Sequence, residues 1–364
     1  MPTRQEPAER DRRSLLKPSL NWLLALIPVS VGAEVAHAEV LVFVSAAGAI
    51  LPLAGIIGRS TEQIAAHAGP RLGGFLNATF GNVAELIISV FLILDDEIEV
   101  VKASLTGSIL GNLLLVLGLS FFVGGLRHRE QRYNAQAAGV HSTSLALAVL
   151  GLLMPALFVL TTGERDFLHR EVVSGVVAGL LILLYIGALL FMMVTHQDLF
   201  RTQHEAEAHW SLRRAVTILV GATAFVALES EFLVGALDPA IERLGLSKFF
   251  VGLIVVPIVG NAAEHGSAVL FAARNKLDIT LEIATGSSTQ IALFVAPALV
   301  FISLAVGHPM DFIFTPFEIA AVGVSSLIAT LISLDGKSNW LEGAQLMAAY
   351  LIVAISFFFV TAPS

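Results

Sequence analysis

The sequence predicts an all-α polytopic membrane protein, and three observations carry that prediction: an apolar composition, about eleven hydrophobic segments of spanning length, and a lopsided distribution of basic residues. Of 364 residues, 56% are hydrophobic and only 14% are charged, and the mean hydropathy is +0.81. A water-soluble chain of this length needs far more charged surface, so lipid is the solvent for most of it. Cysteine is absent, which excludes disulfides, thiolate metal sites and cysteine nucleophiles together. The net charge of −8 says little about partners, because the charges lie in loops. The first twenty residues are polar and basic, and no small-residue cleavage site follows Trp22, so no cleavable signal is expected.

Segments long enough to span a bilayer as helices fall at 20–37, 39–58, 71–95, 99–125, 137–161, 169–195, 212–237, 247–273, 277–306, 313–333 and 340–361. If the N-terminus is cytoplasmic, 16 of the 21 Lys+Arg lie on the cytoplasmic side; only Lys102, Arg165, Arg170, Arg243 and Lys248 lie on the other. This bias predicts N-in, C-out and an odd helix count. The expected organisation is a basic cytoplasmic tail (1–19), a first helix (20–37), a first half (38–195), a cytoplasmic link (196–211) and a second half (212–364). The link carries Asp198, Glu205 and Glu207 beside His196, His204 and His209. It reads as a solvated connector, with an ion-attracting or regulatory role as the alternative.

Two patches recur at one offset. Gly81-Asn82-Val83-Ala84-Glu85 matches Gly260-Asn261-Ala262-Ala263-Glu264, and Thr106-Gly107-Ser108 matches Thr285-Gly286-Ser287, both 179 positions apart. Over this stretch 8 of 28 positions are identical, seven of them inside the patches, which points to internal duplication. Under the predicted topology the third and eighth helices run in opposite directions, so the motif lies antiparallel to itself. Inverted repeats meeting near the midplane are a recurrent design of secondary transporters.

The residue types in these patches suit a cation. An ionised carboxylate at mid-membrane costs about 2.5–3.5 kcal/mol on insertion scales and persists only facing a cavity, a partner or an ion. The spacing puts Asn82 with Glu85, and Asn261 with Glu264, on shared helix faces. Ser287 pairs with Gln290, and Ser108 with Asn112, in the same way. Gly81 and Gly260 permit a bent backbone, and Pro257 removes the hydrogen bond that the Leu253 carbonyl would accept. Such an oxygen-rich, sulfur-free set fits hard cations such as calcium. Two facing carboxylates repel one another, which invites protons when the metal leaves. The doubly charged empty site is then the costly state, and exchange of cation for proton follows.

At these residues the chain resembles the calcium/proton antiporter (CAX) family of the calcium/cation antiporter superfamily. The resemblance rests on the two glutamate motifs, extended to Ile87 and His265, on Gly286-Ser287-Ser288-Thr289-Gln290-Ile291-Ala292-Leu293, and on Asp335 to Gly343. It implies one peripheral helix followed by two inverted five-helix repeats, exchange of cytosolic calcium for external protons, and a prokaryotic cytoplasmic membrane as location. It assigns ion binding to Glu85, Glu264, Asn82, Asn261, Ser287 and Gln290, and places Glu62 and Glu231 at acidic positions of the cytoplasmic approach and the seventh helix. Ser108, Asn112 and His265 join Glu62 and Glu231 as the expected proton and ion pathway. The implied partners are calcium and protons as substrates and the lipid bilayer, with room for a homo-oligomer; no cofactor and no nucleic acid are implied.

Plainer readings stand beside these. The asparagines could bond helices together, the hydroxyls could return to their own helix carbonyls, Glu62 and Glu231 could be solvated at helix ends, and His265 could be packing. A sodium, potassium or manganese/proton exchanger, or a sodium/calcium exchanger, is the neighbouring function. A channel would show single-channel currents. A hydrolase using His265 with Ser267 or Glu264 lacks both a serine elbow and a His-Glu-x-x-His pattern, so the expectation is a transporter rather than an enzyme.

Overall fold

Among residues 20–163, 166–197 and 208–359, which the computed structural model describes, nine helices are long and apolar enough to cross a membrane and two further apolar helices are shorter. The basic tail 1–19 and the middle of the expected link, with Asp198, His204, Glu205 and Glu207, lie outside the described residues. Helix α1 (Leu20–Val35) turns at His37 into α2 (Glu39–Gly69). Hydropathy alone ends this second span at 58, yet the helix continues for eleven residues, since polar residues remain helical beyond the apolar run; Ser60 and Thr61 return their hydroxyls to the carbonyls of Ile56 and Ile57 at 2.7 and 3.0 Å. It stops where the backbone forces it to: Gly69 adopts φ 82°, ψ 170°, a conformation open essentially to glycine, and the next residue is Pro70.

The single helix expected over 71–95 is two, α3 (70–80) and α4 (Val83–Leu94), separated by a turn at Gly81 and Asn82. Asn82 itself, at φ −99°, ψ 18°, is not helical. The remaining helices are α5 (Ile98–Arg127), α6 (Ala135–Thr162), α7 (Leu168–Thr195), α8 (Leu212–Gly235), the short α9 (Leu237–Leu244), α10 (Lys248–Ala273), α11 (Leu277–Val306), α12 (Pro316–Ser333) and α13 (Trp340–Phe358). Their starts carry side-chain caps: Asn134 for α6, Ser211 for α8, and reciprocal capping boxes Thr315/Glu318 and Asn339/Glu342 for α12 and α13. Inside the helices, π turns occur at Gly111–Val116 in α5, Val251–Val255 in α10, and Glu282–Gly286 and Ile291–Val295 in α11. Single π turns of this kind mark functional positions in many helices.

Two strands that hydropathy gives no hint of close one end of the bundle. β1 (Gln131–Arg132) and β2 (Lys337–Ser338) pair antiparallel, Gln131 with Ser338 and Arg132 with Lys337. They fasten the α5–α6 connection to the α12–α13 connection.

Lipid-facing and packed surfaces are distinguished by side-chain size. On α7, Val172, Val176, Leu180, Leu183 and Leu190 recur at helical spacing and are all exposed, which suits a lipid solvent. Helix–helix contacts use glycine to let backbones approach. A Cβ at Gly252 of α10 would sit 2.8 Å from the Val100 carbonyl of α5, and one at Gly107 of α5 would sit 1.9 Å from the Leu253 carbonyl of α10. Gly118 of α5 and Gly343 of α13 meet in the same way. Helix α5 is thereby clamped between α10 and α13, with Leu105, Leu110, Leu113, Leu114 and Phe121 fully buried. One copy of each recurring patch lies on this clamped core, 106–108 on α5 and 260–264 on α10, and the other copies lie at the α3–α4 break and on α11, while α2 packs on α8 beside them.

Candidate ion-binding site

The break between α3 and α4 puts Asn82 on a turn and Glu85 in the first turn of α4. The two therefore do not share a helix face as their spacing suggests, whereas Asn261 and Glu264 lie together on unbroken α10. The glycines differ likewise. Gly81 lies in the break, but Gly260 sits inside regular helix and serves close approach: a Cβ there would lie 3.5 Å from Glu85 Cβ. The irregularity of α10 falls earlier, as the π turn Val251–Val255, just ahead of the proline that leaves the Leu253 carbonyl without its helical donor.

The buried polar residues form two hydrogen-bonded groups. In the first, Ser108 Oγ of α5 donates to Glu85 Oε1, and Asn261 Nδ2 points at Glu85 Oε2, Ser108 Oγ and the Pro257 carbonyl at 3.4, 3.5 and 3.2 Å. In the second, His265 Nε2 donates to Asn112 Oδ1 at 3.0 Å, Asn112 Nδ2 to Ser287 Oγ at 3.2 Å, Ser287 Oγ to Asn82 Oδ1 at 3.0 Å, and Asn82 Nδ2 to Gln290 Oε1 at 3.0 Å. Each residue of this second group donates to the next, from α10 through α5 and α11 to the break, and from the break back to Gln290 of α11. The pairing is crosswise between the duplicated units. Asn82 of the first meets Ser287 of the second, and Asn261 of the second meets Ser108 of the first.

The two glutamates are not equivalent. Glu85 is fully buried and held by Ser108 and Asn261. Glu264 is half-buried, and among the described residues no hydrogen bond reaches it, though Glu85 and Glu62 both act on it electrostatically. Asn261 Oδ1 is buried beside Glu85 without a hydrogen-bond donor. An orphaned buried carbonyl costs about 1–3 kcal/mol and asks for an explanation. A cation supplies one, since amide oxygens are ordinary ligands of hard ions.

Other expected residues lie further out. Glu62 of α2 is exposed, within electrostatic range of Glu264. Glu231 of α8 is exposed and no hydrogen bond joins it to the cluster among the described residues. Its neighbour Glu229 is the buried acid of that helix, accepting from Ser30 of α1 at 2.9 Å. Two residues of separation on a helix point side chains in nearly opposite directions, and the pattern Glu229-Ser230-Glu231 does not say which acid faces inward. The hydroxyls divide. Thr285 returns to the Leu281 carbonyl at 2.7 Å, while Thr106 donates to Glu318 Oε1 at 3.3 Å. Sequence reasoning passed over Glu318, Glu282 with His141, and the cluster of Asp311 with Lys102 and Arg170. The signal available was a charged residue inside or beside an apolar segment, which alone does not reveal its partner.

The fold defines an integral membrane protein of packed helices, and the cluster brings polar side chains of both recurring patches together in its interior. The family described as sodium/calcium exchanger protein matches residues 38–194 and 214–359. The chain belongs to that family. A Ca2+/H+ antiporter of Aphanothece halophytica is 45% identical over 355 residues, covering 93% of this chain and 95% of that one. A Ca2+/H+ antiporter of Synechocystis sp. is 45% identical over 361 residues, covering 93% and 96%. Among solved structures, that of native YfkE superposes with a TM-score of 0.83 at 41% identity, over 94% of this chain and all of that one.

Proposed function

We propose that the chain is a secondary antiporter that exchanges cytosolic calcium for external protons through a single site at Glu85 and Glu264. The observation that carries this reading is the crosswise pairing of Asn82 with Ser287 and of Asn261 with Ser108 around a fully buried Glu85. It gathers two carboxylates, three amides (Asn82, Asn261 and Gln290) and two hydroxyls from four helices. Similarity above 40% identity to relatives named as Ca2+/H+ antiporters supports calcium and protons as the substrates.

In the calcium-bound state, Glu85, Glu264, Ser287, Gln290 and the two asparagine carbonyls turn their oxygens to the ion. Asn261 Oδ1 already lacks a competing donor, whereas Asn82 Oδ1 and Gln290 Oε1 must release theirs. When calcium leaves, protons neutralise the acids, because two carboxylates in a dry site repel. The unloaded, doubly charged site is the state that resists changing sides. Ser108 and Asn112 orient this set, and His265 holds Asn112. Glu62 lies on the approach. The basic-residue distribution supports a cytoplasmic N-terminus and two inverted halves around the site, and similarity to antiporters of Synechocystis sp. and Bacillus subtilis supports the inner membrane of a prokaryote.

Proton-gradient-driven uptake of radioactive calcium into proteoliposomes tests the reading, with sodium, potassium, manganese and magnesium as competitors. Wild-type protein takes up calcium without sodium, and Glu85→Gln and Glu264→Gln each abolish uptake while remaining monodisperse. Retained uptake in either variant refutes the two-glutamate site. Sodium-dependent uptake would place the chain among sodium-coupled exchangers instead.

A further inference from the structure

We propose that His141 of α6 and Glu282 of α11 form a proton-accepting station beside the ion site, through which the proton displaced by calcium reaches water. The proposal rests on the proton-coupled reading above.

His141 is the one ionisable side chain in the 28 residues of α6, and it is buried. Its Nε2 lies 3.0 Å from Glu282 Oε2. Glu282 is half exposed, its side chain retaining 50% of its accessibility against 6% for that of His141. The pair thus has a wet end and a dry end. At the wet end, Asp278, one helical turn before Glu282, is exposed and accepts from the Asn134 backbone N–H at 2.8 Å, so α6 and α11 are tied at their starts. At the dry end, the pair lies over Gly286. A Cβ there would sit 3.2 Å from Glu282 Oε1 and 3.6 Å from His141 Cε1. The π turn Glu282–Gly286 spans this interval, and because such a turn closes over five residues, Ser287 follows Glu282 by about one turn. An exposed acid, a half-exposed acid and a buried imidazole therefore lead inward to the serine of the duplicated patch.

The charged group acting on His141 is Glu282, and the charged group acting on Glu282 is His141. Glu282 is the ionisable residue of α11 facing His141; the other, Asp278, is committed to Asn134. The remaining helices packed on α6 are α7 and α12. His169, Arg170 and Glu171 of α7 and Glu318 of α12 lie at the opposite end, and Tyr185 of α7 stacks on Phe294. With a neutral ring the pair carries one negative charge. It becomes neutral on taking a proton as imidazolium–carboxylate, and the proton then passes from the half-exposed Glu282 to water. Unlike the Asp311 cluster, whose acid is matched by Lys102 and Arg170, this pair has an imidazole as its partner and so can exchange a proton near neutral pH. By the basic-residue distribution this end of the bundle is cytoplasmic, the side on which an inward-moving proton must leave.

The test uses purified full-length protein, wild type, His141→Gln, Glu282→Gln and Glu282→Asp. Calcium affinity is measured by equilibrium binding of radioactive calcium, proton release on calcium addition by a pH indicator in weak buffer, and gradient-driven uptake between about pH 6 and 8, where an imidazole changes charge. The expected result is that His141→Gln and Glu282→Gln bind calcium within about twofold of wild type, release the displaced protons at least tenfold more slowly when release is followed by stopped flow, and lose at least tenfold in uptake and most of its pH dependence, with recovery in Glu282→Asp. An unchanged rate of proton release and an unchanged pH profile in both glutamine variants overturn the proposal, as does loss of calcium binding in parallel with uptake. Should His141→Gln not fold, Glu282→Gln decides alone. Absence of proton release in the wild type instead removes the antiport reading itself.

Discussion

Gly107 and Gly286 are the same residue of the duplicated unit, yet alanine at the two positions is expected to behave differently. At Gly107 the new Cβ would lie 1.9, 2.6 and 2.8 Å from O, C and Cα of Leu253, all backbone of α10. An ordinary carbon–oxygen contact is about 3.3 Å, so α5 and α10 must part by about 1.4 Å. The bond that crosses this seam starts at 3.5 Å from Asn261 to Ser108, the outer limit of hydrogen bonding. Separation takes it out of range. Overpacking of this kind costs about 1–3 kcal/mol, and the lost bond about 0.5–1.5 kcal/mol. Destabilisation of about 1.5–4.5 kcal/mol and a calcium uptake more than tenfold lower are therefore expected for Gly107→Ala. At Gly286 the nearest atom is Glu282 Oε1 at 3.2 Å, the far end of a flexible side chain that yields by a few tenths of an ångström. Gly286→Ala should keep its thermal stability and most of its transport. Both are measured by thermal unfolding in detergent and by uptake into proteoliposomes. Equal tolerance of the two alanines, or equal damage, would refute the argument that α10 backbone makes Gly107 obligatory.

Two further outcomes are expected away from the site. Asp311 is buried between Lys102 and Arg170, so Asp311→Asn leaves two cations facing each other and should cost about 3–5 kcal/mol. Lys102→Met should cost less, because Arg170 still neutralises the acid; comparison of their melting temperatures checks the order. At the β1–β2 latch, exposed Glu130 accepts from Lys337 Nζ at 3.3 Å and Arg132 Nε at 3.1 Å. Its carboxyl is held below the usual glutamate range by the Lys337 bond first and the Arg132 bond second. A depressed folded value contributes stability above the unfolded glutamate pKa of about 4.3, and that contribution disappears as pH falls through the folded value. Glu130→Gln should therefore lower the melting temperature slightly near neutrality, and by progressively less as pH falls below the unfolded glutamate range.

Much of this protein is set by sequence. Apolar run length fixed the all-α membrane class, and most helix limits fall within a few residues of the hydropathy edges, because a lipid-immersed backbone must satisfy its own hydrogen bonds in place. Two limits do not follow hydropathy. Helix α2 continues to Gly69 because polar residues can stay helical outside the membrane, and the 71–95 segment breaks at Gly81 and Asn82 because apolarity says nothing about backbone torsion. The recurrence of Asn, Glu, Thr, Gly and Ser at one offset marked the candidate site, since a duplicated acid in an apolar helix has no bland explanation.

What the chain did not reveal is which side chains meet. Matching motifs give Glu85 two donors and Glu264 none among the described residues, because one motif straddles a helix break and the other continues through regular helix. Crosswise pairing of Asn82 with Ser287 and Asn261 with Ser108 exists only when helices distant in sequence are packed together, with glycine at the α5–α10 crossing. The same holds for His141 and Glu282, 141 positions apart. Residue type and spacing decide what a helix can offer; the partner it is offered to is decided by contacts distant in sequence, and only the tertiary structure supplies those.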